Sequence, residues 1–195
     1  MGRMARENLK TALEYFYSPE DTELRERVLG TEQVVDYLNH TIADRLVELR
    51  GRGLSEKDIF RVTKMTQVVS NFERISDHAE NIVEFADRVK NERAVISDEA
   101  MLELREMGAA VMDTLDVSMR VFEGERFDLL PEAEALEQKV DDMQEENISH
   151  HIERLMEGQC DPLGGVIFTD MCTDLERCSD QAINIATALV PRKTK

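Results

Sequence analysis

Four pairs of carboxylates are the residues best placed to do chemistry. Glu32 and Asp36, Glu73 and Asp77, Glu137 and Asp141, and Glu176 and Asp180 each stand four positions apart. On a helix, residues at that spacing share one face, with Cβ atoms about 5–6 Å apart. Two carboxylates so placed repel, at a cost of about 0.2–0.5 kcal/mol per pair. A single pair in an acidic helical chain is an ordinary solvated face. Four pairs at matched places call for a compensating partner, and a divalent or trivalent cation is the natural one. All-oxygen ligation suits hard ions such as magnesium, calcium, manganese or iron and disfavours thiolate-seeking ones. Asn81 and Asn184, one turn further along, could add carbonyl oxygens.

Other chemistry is poorly represented. His40, His78, His150 and His151 do not recur at matching positions, and none closes a Glu-x-x-His pair of the ferritin-like kind. Cys160, Cys172 and Cys178 are an odd set with no C-x-x-C, which fits free thiols in a reducing compartment. Cys178 falls on an apolar stripe and reads as core. There is no glycine-rich phosphate loop, no G-x-S-x-G and no H-E-x-x-H. With no nucleophile or general acid recurring beside the carboxylates, the chain is not expected to be an enzyme.

The acidic pairs belong to a longer internal repeat. Glu73 to Ile82, Glu-Arg-Ile-Ser-Asp-His-Ala-Glu-Asn-Ile, aligns with Glu176 to Ile185, Glu-Arg-Cys-Ser-Asp-Gln-Ala-Ile-Asn-Ile, at an offset of 103 with seven of ten positions identical. Glu32 to Asp36 aligns with Glu137 to Asp141 at an offset of 105. Two segments in the same order at nearly one offset indicate duplication.

The elements that must position these residues are helices. Val62, Met65, Val69, Phe72, Ile75, Ala79, Ile82, Ala86 and Val89 recur every three or four positions. Ser18-Pro19 reads as a cap and first turn, Ser55-Glu56-Lys57-Asp58 as a capping box, and Ser97 and Asp161-Pro162 as further starts. Gly51, Gly53, Gly124 and Gly158 read as stops, and Pro131 as an early helical turn. These signals predict six helices over 3–17, 20–50, 55–92, 97–124, 129–158 and 162–190. The fold class is all-α: two tandem three-helix bundles related by duplication, over 1–94 and 95–195, joined near Asn91–Ser97. The first helix is shorter than its counterpart at 97–124, as in a chain that begins partway through an ancestral helix. Within each bundle the second and third helices are neighbours, so their pairs could face each other as a four-carboxylate site.

Bulk properties agree. The hydrophobic content of 42% can fill a core, and with 5% aromatics and no Trp that core is aliphatic. Only 9 Gly and 4 Pro in 195 residues favour long helices. A net charge of -17 disfavours nucleic acid and anionic lipid, and favours cations. No run of about 18 apolar residues exists to cross a membrane, and no secretory signal opens the chain.

At its two Glu-Arg-x-Ser-Asp segments the sequence resembles the PhoU family, whose hallmark is a duplicated three-helix bundle with Glu/Asp-x-x-x-Asp motifs. The resemblance covers nearly the whole chain. It implies a cytoplasmic regulator of phosphate uptake and signalling, at the cytosolic face of the membrane when held by a transporter. It implies metal clusters, iron or zinc among them, on the acidic motifs. The implied partners are phosphate transporter components or a sensor kinase, and the implied form is either a free regulator or the cytosolic tail of a sodium-dependent phosphate cotransporter. A homodimer through an exposed helical face fits as well. Carried over residue by residue, the motifs give Glu73, Asp77, Glu176 and Asp180 as ligands, followed by Glu32, Asp36, Glu137 and Asp141. Family members often have Gly or Ala where Ser76 and Ser179 stand. Gln181 and Ile183 replace His78 and Glu80 in the second copy, so the two sites are expected to differ.

Three functions follow from these residues and from what the resemblance implies. The first is a metal-binding regulatory module in phosphate transport. The second is a metal-free structural or docking domain on a phosphate transporter. The third, a metal-dependent hydrolase, is disfavoured by the missing nucleophile.

Overall fold

The computed structural model describes residues 1–190; the end of the expected second bundle, 191–195, lies outside them. The elements are α1 (Gly2–Tyr17), α2 (Thr22–Arg50), α3 (Glu56–Glu92), α4 (Asp98–Gly124), α5 (Leu130–Met156) and α6 (Pro162–Thr187), with a single 3₁₀ turn, Phe127–Leu129, leading into α5. The all-α class and the six helices stand as expected.

Local chemistry sets most boundaries. Ser55 Oγ accepts from Asp58 N at 3.2 Å and Ser97 Oγ from Ala100 N at 3.2 Å. Asp161 Oδ2 accepts from Gly164 N at 2.9 Å. The expected start of α2 at residue 20 is displaced. Asp21 is the cap, accepting from the amides of Glu23 and Leu24, while Ser18 is the C-cap of α1. The carboxylate satisfies two orphan amides, which the Ser-Pro pair upstream does not. The last helix stops at Thr187, short of the expected 190.

α1, α2 and α3 pack on one another, as do α4, α5 and α6, and α3 lies against α6. α3 therefore buries two stripes. Phe72, Ile75, Ala79, Ile82 and Ala86 follow the expected period, and Val68 and Val83 are buried beside them. One continuous core runs through both halves, from Ala5 and Leu9 on α1 to Leu175 and Ile185 on α6.

Polar contacts tie the halves together. Arg6 of α1 forms a two-pronged pair with Asp116 of α4, at 2.8 Å on each arm. Asn81 Nδ2 of α3 donates to Asp174 Oδ2 of α6 at 2.8 Å. His78 Nδ1 lies 3.4 Å from the other oxygen of Asp174, which is only 6% exposed. A small residue is required where α6 begins. A Cβ on Gly164 would stand 2.0 Å from the carbonyl oxygen of Val95, in the connection between α3 and α4. No helix among the described residues is long and apolar enough to cross a membrane.

Candidate metal sites

Four of the ten positions of the repeated signature are packing. Ile75 and Cys178, Ser76 and Ser179, Ala79 and Ala182, and Ile82 and Ile185 are all buried. Small residues at the serine positions let the neighbouring helix approach. Ser76 Oγ also accepts from Asn8 Nδ2 at 2.9 Å. The repeat places Val111 where Asn8 stands, and Ser179 Oγ has no hydrogen-bond partner. Burial alone accounts for the recurrence of these positions.

It does not account for the carboxylates. All eight are half-buried. On α2, Val35 is fully buried between Glu32 and Asp36. On α5, Val140 is fully buried between Glu137 and Asp141. A buried valine inside each pair turns both carboxylates toward the seam with the next helix, as the 3.6-residue period requires.

In the second bundle the acidic residues converge. Glu137 and Asp141 of α5 and Asp180 of α6 can each bring one carboxylate oxygen within 4.8 Å of the others. Oxygen donors of one hard cation sit roughly 2.0–2.6 Å from it, so two of them are at most about 5 Å apart. Glu176 stands one turn before Asp180, in the field of Asp180, Asp141 and Glu137. Asp141 Oδ1 is buried without a hydrogen-bond partner. An unpaired carboxylate oxygen among like charges is costly without a cation. This donor set of three carboxylates, with a fourth beside it, fits a hard ion on those two observations.

The first bundle is arranged differently. In the set of Glu32, Asp36, Glu73 and Asp77, burial, and after it the neighbouring carboxylates, raise Glu32, Glu73 and Asp77. Among the described residues they form no trio as close as that of the second bundle. His40 accounts for part of the difference. Its Nδ1 is 3.2 Å from Asp36 Oδ1 and 3.0 Å from the Asp36 carbonyl oxygen, so Asp36 already has a partner. The aligned position in the second bundle is Glu145. The signal for this contact in the sequence is the spacing of four between Asp36 and His40, which the second copy lacks.

The electrostatics follow from burial and crowding. Burial is the largest cause raising the carboxyl groups of Glu32, Glu73, Asp77, Glu137, Asp141 and Glu176 above their ordinary range, and neighbouring carboxylates add to it at each. Arg74 and Arg177 are exposed, and neither forms an ion pair among the described residues. Their charge opposes the rise at Glu73, Asp77 and Glu176 from a distance.

One expected contributor lies elsewhere. Asn81 donates to Asp174 at the seam between α3 and α6, so it holds the bundles together and does not extend the acidic face. His78 reaches the same seam from a position beside Asp77. Of the residues that differ between the copies, Glu80 remains in the field of Glu32, and His78 lies close enough to Asp77 to oppose its rise.

Comparisons with known proteins agree with this architecture. A family model described as "PhoU domain" matches twice, over residues 1–86 and 104–189. The "Phosphate-specific transport system accessory protein PhoU homolog 1" of Thermotoga maritima is 24% identical over 185 residues, covering 94% of this chain and 78% of that protein. The crystal structure of PhoU from Pseudomonas aeruginosa superposes with a TM-score of 0.87 at 21% identity, covering 97% of this chain and 90% of the other. The phosphate transport system regulatory protein PhoU from Streptococcus pneumoniae gives 0.83 at 20% identity, covering 97% and 87%. The two model matches start 103 residues apart, the offset at which the Glu-Arg-x-Ser-Asp segments repeat. Taken with the duplicated helical halves, they establish that the chain belongs to the PhoU family.

Proposed function

We propose that this protein is a regulatory module of phosphate transport that holds a hard metal ion on the carboxylates of its second bundle, and more weakly on those of its first. The convergence of Glu137, Asp141 and Asp180, with Asp141 Oδ1 left unpaired, carries this reading. Glu176 completes the second set, and Glu32, Asp36, Glu73 and Asp77 form the first. Iron, zinc, manganese and magnesium are the candidate ions, with oxygen donors favouring the harder ones. A bound cation neutralises charge that the fold otherwise crowds together. It thereby couples the α5–α6 seam, and through α6 the contact with α3, to metal supply. The partner is a component of a phosphate transport system, as the name of the Thermotoga maritima relative indicates, and the protein works on the cytosolic side.

The test is complementation. A host lacking its own PhoU protein receives either the wild-type chain or a variant with Glu137→Gln, Asp141→Asn and Asp180→Asn, and phosphate uptake is followed. Regulation by the wild type with loss in the variant supports the reading. Full regulation by an equally abundant variant overturns the role of the metal site. Failure of both proteins contradicts the role in phosphate transport.

A further inference from the structure

Where the α5–α6 turn meets the connection between α3 and α4, a cavity of about 50 Å³ is lined by His151, Arg154, Cys160 and Phe168, among others. It lies outside the acidic faces, and nothing in the phosphate-transport reading uses it. Cys160 Sγ is 3.6 Å from His151 Nδ1, within hydrogen-bonding reach for sulfur. Cys160 is half-buried, so solvent reaches it, whereas Cys172 and Cys178 are buried. Burial pushes the Cys172 thiol up to about 12 and that of Cys178 well up, which keeps both unreactive.

The surroundings hold the pair in place. A Cβ on Gly165 would stand 2.5 Å from His151 Cε1, so the glycine lets the imidazole lie against α6. The ring also packs on Phe168, with centroids 5.5 Å apart. Burial lowers the pKa of His151, which keeps the imidazole neutral and able to accept a proton. Arg154 is 8% exposed and faces Cys160. Its two terminal nitrogens are held by Glu103 at 2.9 and 2.7 Å, while its Nε–H is buried without a partner. An unpaired guanidinium N–H is a donor waiting for an anion or a polarised oxygen. The titratable and charged groups around the thiol are thus Arg154 and the neutral His151 of α5, Glu103 of α4, and Asp161, whose carboxylate is occupied by the amides of Val95 and Gly164.

We propose that Cys160 is a peroxide-sensitive thiol, oxidised to its sulfenic acid in this cavity with His151 as the base and Arg154 as the donor that steadies the oxygen. The Cys160 proton moves to His151 Nδ1. The thiolate sulfur attacks one oxygen of hydrogen peroxide, the O–O bond breaks, and sulfur is oxidised by two electrons to S–OH. The other oxygen leaves as hydroxide and takes the proton back from His151 as water. The cavity has room for a molecule the size of hydrogen peroxide. With the other two thiols buried, the sulfenic acid has no neighbour ready to form a disulfide, so it persists until a small thiol caps it.

The experiment exposes the full chain to hydrogen peroxide, traps sulfenic acid with dimedone, and maps the adduct by mass spectrometry. Label on Cys160 is expected to form at least about tenfold faster than on an unstructured peptide spanning residues 155–165. The His151→Ala variant is expected to lose about tenfold of that rate, and added imidazole to restore part of it, an outcome that lost packing alone does not produce. A Cys160 rate equal to that of the peptide overturns the proposal without reference to any variant. An undiminished rate in a folded His151→Ala protein, or no response of that variant to imidazole, overturns the role of His151 as base.

Discussion

Replacing Asp141 by Asn should change stability in opposite directions with and without metal. Asp141 has two carboxylates, Glu137 and Asp180, with oxygens within 4.8 Å. At that separation two unit charges repel by about 0.9 kcal/mol in bulk water and by about 3.5 kcal/mol at an effective dielectric constant of 20. The half-exposed position and ordinary salt put the real figure near the lower value. Removing one charge from the trio therefore relieves about 2 kcal/mol over the two neighbours. For a chain of this size that raises the melting temperature by roughly 4–8 °C in chelator. The new amide also gives the buried oxygen position a donor toward the remaining carboxylates. With metal the order reverses. An ion present at a hundred times its dissociation constant stabilises the wild type by about 2.7 kcal/mol, and the variant loses most of that. The assay is thermal unfolding by circular dichroism in chelator and in excess manganese, iron or zinc. A variant that melts lower than wild type in chelator, or that gains as much from metal as wild type does, refutes the reasoning.

Other outcomes follow from the same geometry. Asp36→Asn should raise the chelator-treated melting temperature less than Asp141→Asn does, because His40 already partners Asp36; equal gains would contradict the inequality of the two sites. Carboxyl groups raised in the folded state bind protons more tightly there than in the unfolded chain, so their contribution to stability falls as pH rises from the ordinary carboxylate range through the raised values. Denaturant unfolding of metal-free protein should accordingly show these sites costing more stability at pH 7 than at pH 5, a difference diminished in the Glu137→Gln/Asp141→Asn variant. Metal affinity should move the other way, weakening as pH falls through the same range and protons compete for the oxygens. Gly164→Ala should cost about 1–3 kcal/mol by overpacking against the Val95 carbonyl, read as a lower denaturant midpoint. Asp174→Ala should cost about 1–3 kcal/mol by stripping Asn81 of its acceptor at the seam of the bundles; a change within the error of the melt would remove that network from the account.

The helices were legible in the sequence because their signals are local. Ser55, Ser97 and Asp161 announced their caps, and the three-and-four spacing from Val62 to Val89 marked the α3 stripe. The α2 start was misplaced because Ser18-Pro19 and Asp21 are competing caps, and the contest was decided by which side chain reaches free amides. The repeat revealed that Glu and Asp recur, but it could not separate residues kept for packing from residues kept for chemistry. Burial makes that separation, assigning Ser76, Ala79 and Ile82 to the core and leaving Glu73 and Asp77 on the seam. Contacts between elements were out of reach. Asn81 shares a helix with Glu73 and Asp77, but its partner Asp174 is 93 residues away in the chain. The inequality of the sites was expected from His78 and Glu80. The contact at the first site is that of His40 with Asp36, a pair four positions apart with no counterpart in the second copy.

The most direct test of the central claim is the metal content of the protein itself. Tag-free wild type and a Glu137→Ala/Asp141→Ala/Asp180→Ala variant are stripped with chelator, incubated separately with iron, manganese, zinc and magnesium, desalted, and measured by elemental analysis. The account predicts that wild type retains at least one of these ions in a fixed ratio per chain and that the variant retains less. Equal retention by the two proteins, or none by either, would contradict it.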